Sequence, residues 1–124
     1  MSSIGFLFLM ILLHIIDDFV LQPVCLSKLK QKKFWEPYVS ENSKYKHDYW
    51  AALVIHGLSW SIMIHLPFLF TTHDELTLFG LVIGHAALHA IVDDEKANRG
   101  RINLIVDQTI HFLQIIFSWI LLTI

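Results

Sequence analysis

His14, Asp18 and Gln22 follow one another at four-residue intervals, and so do His85, His89 and Asp93. Asp107 and His111 repeat the step. Residues four apart on a helix lie one above the other on the same face. Three segments therefore each present a His and an Asp one turn apart, while His56 stands in another segment. Imidazole and carboxylate together are good ligands for Zn²⁺, Mn²⁺ or Fe²⁺. The candidate ligands are His14, Asp18, His56, His89, Asp93, Asp107 and His111. Seven exceed the need of one tetrahedral ion. They suit two ions, or one ion with outer carboxylates that orient the imidazoles. Zinc is the first choice among divalent metals. If the site is catalytic, the ion would lower the pKa of a water and direct it at an ester, amide or phosphate. Asp18 and Asp107 are then the candidate bases.

The elements that must carry these groups are apolar helices. The chain has 124 residues, 55% of them hydrophobic and 16% charged. Mean hydropathy is +0.55. A soluble domain has about 25% charged residues, so the chain is too apolar and too charge-poor for one. Apolar stretches cover residues 4–22, 49–70, 76–93 and 102–124. A helix needs about 20 residues to cross a hydrocarbon core. The third stretch reaches that length if it runs on through the polar residues around Asp93. The stretches lack the alternation of a membrane barrel. Pro23 closes the first stretch, and Pro67 falls near the end of the second. The expected fold is all-α: one integral membrane four-helix bundle over residues 1–124. The N-terminus lacks the basic start and small-residue cleavage site of a secretory signal, so it reads as a retained first span.

All nine Lys and Arg residues fall between the first and second stretches or between the third and fourth. The positive-inside rule puts both of those loops in the cytoplasm, with both termini outside. The middle loop, with Thr71, Thr72, His73, Asp74 and Glu75, is then also outside. In the first loop, Leu26, Leu29, Phe34 and Trp35 suggest a short amphipathic segment on the membrane surface. Its lysines read as topology determinants and lipid-headgroup contacts, or as a partner surface. The single Cys25 excludes a disulfide framework and a multi-Cys zinc site.

Depth sharpens the pattern. At about 1.5 Å rise per residue, His14 lies roughly 12 Å from the cytoplasmic end of its span, His56 about 10 Å, His89 about 9 Å and Asp107 about 8 Å. Most polar groups share one layer in the cytoplasmic half. His precedes Asp in the first and third spans and follows it in the fourth, as alternating span direction requires. Ionisable groups in a bilayer cost about 2.5–3.5 kcal/mol each on insertion scales, so they should face one another inside the bundle.

The blocks His14-x3-Asp18-Phe19-x2-Gln22, then His56, then His89-x3-Asp93-x2-Lys96, then Asp107-Gln108-x2-His111 resemble a family of small bacterial and phage membrane proteins that share a domain of unknown function. The chain is also faintly similar to membrane-bound proteins described as metal-dependent hydrolases. The resemblance implies the positions of the polar residues and a bacterial inner-membrane setting. It implies no established reaction.

Three readings stay open. The polar layer holds a metal, and the protein is a hydrolase or is not an enzyme. It serves a metal or proton carrier, or an accessory membrane protein. Or it is a metal-free network that only sets helix register. Asp17 reads as an outer carboxylate, His65 as a helix-end group, and His47 and His73 as solvated loop residues. His85 shares the face of His89. Lys96 is either a topology charge or a partner of Asp93 or of a substrate anion. Gln22 and Gln108 are candidates to bond ligands or a bound molecule. Trp60 reads as bundle packing, and Gly80 with Gly84 as a small-residue pair that permits close helix contact. The bilayer is the expected partner. Copies of the chain could associate, and the charge balance of −2 offers no argument for nucleic acid.

Overall fold

The computed structural model describes residues 1–71 and 74–124; Thr72 and His73, read above as outer-loop residues, lie outside the described residues. The chain is all-helical, with no strand among the described residues. Helix α1 (Ser3–Ile15) starts at Ser2, whose hydroxyl accepts from Gly5 N, and continues into a π-helical turn, Ile16–Leu21. After Pro23 come two short helices, α2 (Val24–Leu29) and α3 (Lys32–Glu41). Helix α4 (Asp48–His65) runs into a 3₁₀ turn, Leu66–Phe68, at Pro67. Helix α5 spans Glu75–Ala97, and α6 spans Leu104–Thr123 behind an Asn103 cap. Thus α5 does run through Asp93. Asp74 caps it by accepting from Thr77 N at 3.0 Å. The hydrogen bonds from Thr77 hold the Asp74 carboxyl below its ordinary range.

Four helical runs, Ser3–Leu21, Ser43–Phe68, Glu75–Ala97 and Leu104–Thr123, are long and apolar enough to cross a membrane. The first loop adds α2 and α3 to the four long helices, so six α-helices stand among the described residues. The long helices form a ring in which α1 touches α4 and α6, and α5 touches α4 and α6. The pair α4–α5 packs most extensively. Gly57 permits it, because a Cβ there would meet the Ala86 carbonyl oxygen at 2.5 Å. Gly100, at φ +63°, turns the chain from α5 into α6, a backbone conformation that other residues rarely adopt.

Polarity is inverted relative to a water-soluble bundle. His14, His56, His89, Asp107 and His111 are buried, while Phe8, Ile55, Phe79 and Ile105 are exposed. Such an arrangement suits hydrocarbon outside and polar contacts inside. The half of the ring near both termini is filled by Met10, Trp60, Ile64, Phe68, Leu78 and Ile115. The His/Asp group that includes His56, His89 and Asp107 occupies the other half, toward α2, while His65, His85 and Ser118 form a separate buried polar set.

Candidate metal centre

The π turn explains how adjacent carboxylates reach one ring. Gln22 N donates to Asp17 O, one residue beyond α-helical spacing, and such widened turns recur at functional sites. Asp17 and Asp18 then flank His56. Asp17 Oδ2 lies 3.9 Å from His56 Nδ1, and Asp18 Oδ1 lies 3.3 Å from His56 Nε2. Ser59 Oγ donates to the other oxygen of Asp17 at 2.8 Å.

From α5, Asp93 Oδ2 stands 3.6 Å from His56 Nε2 and 3.7 Å from His89 Nε2, and the latter is 3.9 Å from Asp18 Oδ1. Four ligands on a tetrahedral ion at zinc-like bond lengths are about 3.4 Å apart, close to these spacings. Two triads, Asp18–His56–His89 and His89–Asp93–His111, each bring one ligand atom per residue within 4.8 Å of the others. On α6, Asp107 Oδ1 is 3.3 Å from His111 Nε2, which is 3.9 Å from Asp93 Oδ1. All seven candidate ligands fall in this one connected group.

Within it, the buried atoms Asp18 Oδ1, His89 Nε2, Asp107 Oδ1 and His111 Nε2 have no hydrogen-bond partner among the described residues. Buried polar groups nearly always find partners. Here unpartnered donor atoms from four residues converge, and these residue types fit a divalent ion.

The surrounding bonds set the tautomers. The Trp60 indole donates to His14 Nδ1 at 2.7 Å, so His14 Nε2 carries the proton and donates to Gln108 Oε1 at 3.0 Å. The Gln108 amide nitrogen in turn donates to Asp107 Oδ2 (3.1 Å) and Asp18 Oδ2 (3.4 Å). Both nitrogens of His14 are thus occupied, and His14 reaches the group through hydrogen bonds. His111 Nδ1 donates to Gln114 Oε1 at 3.2 Å, and the Gln114 amide nitrogen donates to the His85 carbonyl at 3.4 Å. His111 Nε2 is then the ring nitrogen that faces Asp93 and Asp107. The His89 ring stacks with Trp60 at 4.4 Å and with His111 at 4.1 Å.

Two ammonium groups complete the centre. Lys96 Nζ lies 2.6 Å from Asp107 Oδ2 and 4.0 Å from Asp93 Oδ1, so it is a carboxylate partner. Lys30, grouped by sequence with the topology lysines, is buried and bonds Asp93 Oδ2 at 2.6 Å and Gln22 Oε1 at 3.3 Å. Its position is held by Asn98, which donates to Lys30 O and accepts from Lys32 N. Asn98 is tied back to Asp94. The one signal for Lys30 was its place four residues after Leu26, which puts it at the end of α2 in line with the apolar Leu26. The role of Trp60 as a donor, beyond packing, was not legible either. A cleft of about 250 Å³ opens onto Asp18, His56 and Asp93 beneath α2.

His65 and His85 lie elsewhere. His65 ends α4 but is fully buried. It donates from Nδ1 to Ser61 O at 2.7 Å and accepts from Ser118 Oγ at 2.9 Å. His85 Nε2 is 3.5 Å from the same hydroxyl. Neither reaches the metal-compatible triads. Nothing lies within 4 Å of a Cβ at Gly80 or Gly84.

Residues 6–124 match the family described as protein of unknown function (DUF3307). No curated protein and no solved structure matches the chain.

Proposed function

The chain belongs to the DUF3307 family, to which no activity is attached, and we propose from its geometry that it is an integral membrane protein holding one divalent transition-metal ion in the Lys-rich half of the bundle, as a metal-dependent hydrolase. The observation that carries this is the convergence of Asp18 Oδ1, His56 Nε2, His89 Nε2 and Asp93 Oδ2 at spacings of 3.3–3.9 Å. Lys30 competes for the Asp93 oxygen. That leaves Asp18, His56 and His89 as the residues that would hold the ion, beside a cleft that would admit a water or substrate, as catalytic sites require. A metal-free register network would be expected to satisfy its own members, whereas Asp18 Oδ1 and His89 Nε2, both in the assigned triad, have no hydrogen-bond partner among the described residues.

Charge favours a single ion. Asp17, Asp18, Asp93 and Asp107 oppose only Lys30 and Lys96, and with neutral imidazoles two negative charges remain. One divalent ion balances them, and uncompensated charge in a low-dielectric interior is costly. Zinc fits the His/carboxylate set.

The ion would supply Lewis acidity, polarising a substrate oxygen and lowering the pKa of a water. The chain's residues do the rest. Of the two candidate bases, Asp18 borders the cleft and Asp107 does not. Asp18 Oδ2, steadied by the Gln108 amide, is the oxygen that would accept a proton from a water in the cleft. Asp107 holds Lys96 and faces His111. Trp60, His14 and Gln108 orient the amide that steadies Asp18.

A carrier would need a route through the other half of the bundle. There the apolar cluster around Ile64, Phe68 and Ile115 is buried beside the hydrogen-bonded set Gln114, His85, Ser118 and His65, which includes no carboxylate or ammonium, and this favours a one-sided site. With the Lys-rich end in the cytoplasm and both termini outside, the cleft faces the inner leaflet. Elemental analysis of the detergent-solubilised protein tests the reading. One equivalent of a transition metal is expected after supplementation. Less than about a tenth would defeat it, since a site of this donor set should bind tightly.

A further inference from the structure

The cleft beside Asp18 says what kind of molecule it admits; this step rests on the metal reading above. The charged groups that line it are Asp18, Asp93, Lys30 and Lys96, two of each sign. Asp17 and Asp107 do not line it. A divalent ion at the Asp18–His56–His89 triad balances the centre as a whole, and because Asp17 and Asp107, the latter holding Lys96, lie behind the wall, the side that faces the cleft is the positive one. The Gln22 and Gln108 amides and the Ser27 hydroxyl add neutral hydrogen-bonding groups to the wall. Such a wall recognises an anion with several acceptor oxygens.

The mouth has a different character. Phe19 on the π turn and Leu104 on the first turn of α6 border the same cleft and are 58% and 55% exposed. Val20 and Ile105 extend this apolar lip outward and are more exposed still. The lip belongs to the lipid-facing surface of two spans, so the cleft is reachable sideways from the bilayer. At about 250 Å³, it is smaller than the roughly 300–1,000 Å³ of pockets that enclose a whole drug-sized ligand. It takes a headgroup and leaves hydrocarbon outside.

We propose that the cleft binds a phosphate-bearing amphiphile, its phosphate beside Lys30, Lys96 and the metal triad and its hydrocarbon across Phe19 and Leu104. The phosphate could equally be delivered by a soluble ester; the apolar lip favours the lipid.

The probe is Mn²⁺, loaded to one equivalent on the full-length protein in a phosphate-free neutral detergent, with free ion removed. The readout is paramagnetic broadening of the ³¹P signal of dihexanoyl phosphatidic acid, compared with inorganic phosphate and with competition by dihexanoylglycerol. Phosphatidic acid should be broadened at a concentration at least about tenfold below that needed for inorganic phosphate. Dihexanoylglycerol should compete at least about tenfold more weakly than unlabelled phosphatidic acid. Lys30→Gln and Lys96→Gln should each weaken lipid binding about tenfold, the worth of one charge-assisted hydrogen bond. Lys30→Arg should retain binding, which separates charge from folding. Phe19→Ala should weaken the lipid about fivefold and leave inorganic phosphate unchanged. Equal affinity for inorganic phosphate would overturn the amphiphile, and equal competition by the neutral glycerolipid would overturn the phosphate. If Mn²⁺ is retained and neither phosphate is broadened, this proposal fails while the metal reading stands. If only Zn²⁺ is retained, the ³¹P shift of phosphatidic acid on the zinc-loaded protein gives the same comparison; if neither Mn²⁺ nor Zn²⁺ is retained, the metal reading fails and takes this one with it.

Discussion

The imidazoles of His89 and His111 stack with centroids 4.1 Å apart and planes 18° from parallel, and the Nε2 atom of each is buried without a hydrogen bond. The two rings come from α5 and α6 and turn their Nε2 atoms to the same carboxylate layer. His89 is shared by both metal-compatible triads, whereas His111 belongs to one.

That difference predicts a ranking. His56→Ala and His89→Ala should each reduce bound metal below about a tenth of an equivalent, since losing one of three protein ligands opens the site. His111→Ala and His14→Ala should keep one ion at saturation with affinity lower by about 10–100-fold, the usual effect of losing an orienting partner. Metal titration of the four purified variants checks it. Full binding by His89→Ala would remove the assigned triad.

Gln114 is expected to act through His111. Its amide is oriented by the His85 carbonyl, so its oxygen must face the His111 Nδ1–H. Gln114→Leu should shift the His111 tautomer in ¹⁵N NMR and weaken metal binding by about tenfold. Gln114→Glu keeps an acceptor and should preserve the tautomer. A Leu variant with an unaltered His111 spectrum would show that the amide does not set it.

Ion removal should be a stability event. Without the ion the four carboxylates of the group face only two ammonium groups, those of Lys30 and Lys96. Chelation should therefore lower the unfolding temperature in detergent, and readdition should restore it. With free ion at 100 times Kd the gain is about 2.7 kcal/mol. A melting temperature independent of ion concentration would contradict one-ion binding to the folded state.

The glycines should separate cleanly. Gly57→Ala forces a Cβ to within 2.5 Å of the Ala86 carbonyl oxygen, and α4–α5 must part to admit it. It should destabilise by about 1–3 kcal/mol. Gly80→Ala and Gly84→Ala meet nothing within 4 Å. They should be neutral or slightly stabilising through better helix propensity. Thermal melts of the three variants give the comparison. A destabilised Gly84→Ala would point to a second copy packed on that face.

Orientation can be read with thiols. Cys25 is exposed at the Lys-rich end. With that end in the cytoplasm, an impermeant maleimide should label it only after cells are permeabilised. Thr71→Cys in a Cys25→Ser background should label on intact cells. The reverse pattern would invert the topology.

Much of the centre was legible because helix periodicity is local. The four-residue steps His14–Asp18, His89–Asp93 and Asp107–His111 put each pair on one face in any helical fold. The cost of ionisable groups in hydrocarbon then required those faces to meet. The sorting of Lys and Arg into two loops aligned the pairs in depth.

What stayed hidden depends on how one helix is rotated against another. The sequence alone determined an all-helical chain, its four long apolar runs and the residues that share a polar layer, because these follow from composition and spacing along one element. Only the tertiary structure decided which nitrogen meets which oxygen. It spent both nitrogens of His14 on Trp60 and Gln108 and turned Asp17 inward on a π turn. It also brought Lys30 from the first loop to Asp93. Those outcomes arise from close approaches between distant segments, such as Gly57 against Ala86 and Asn98 against Lys30. No periodicity within a single helix encodes them.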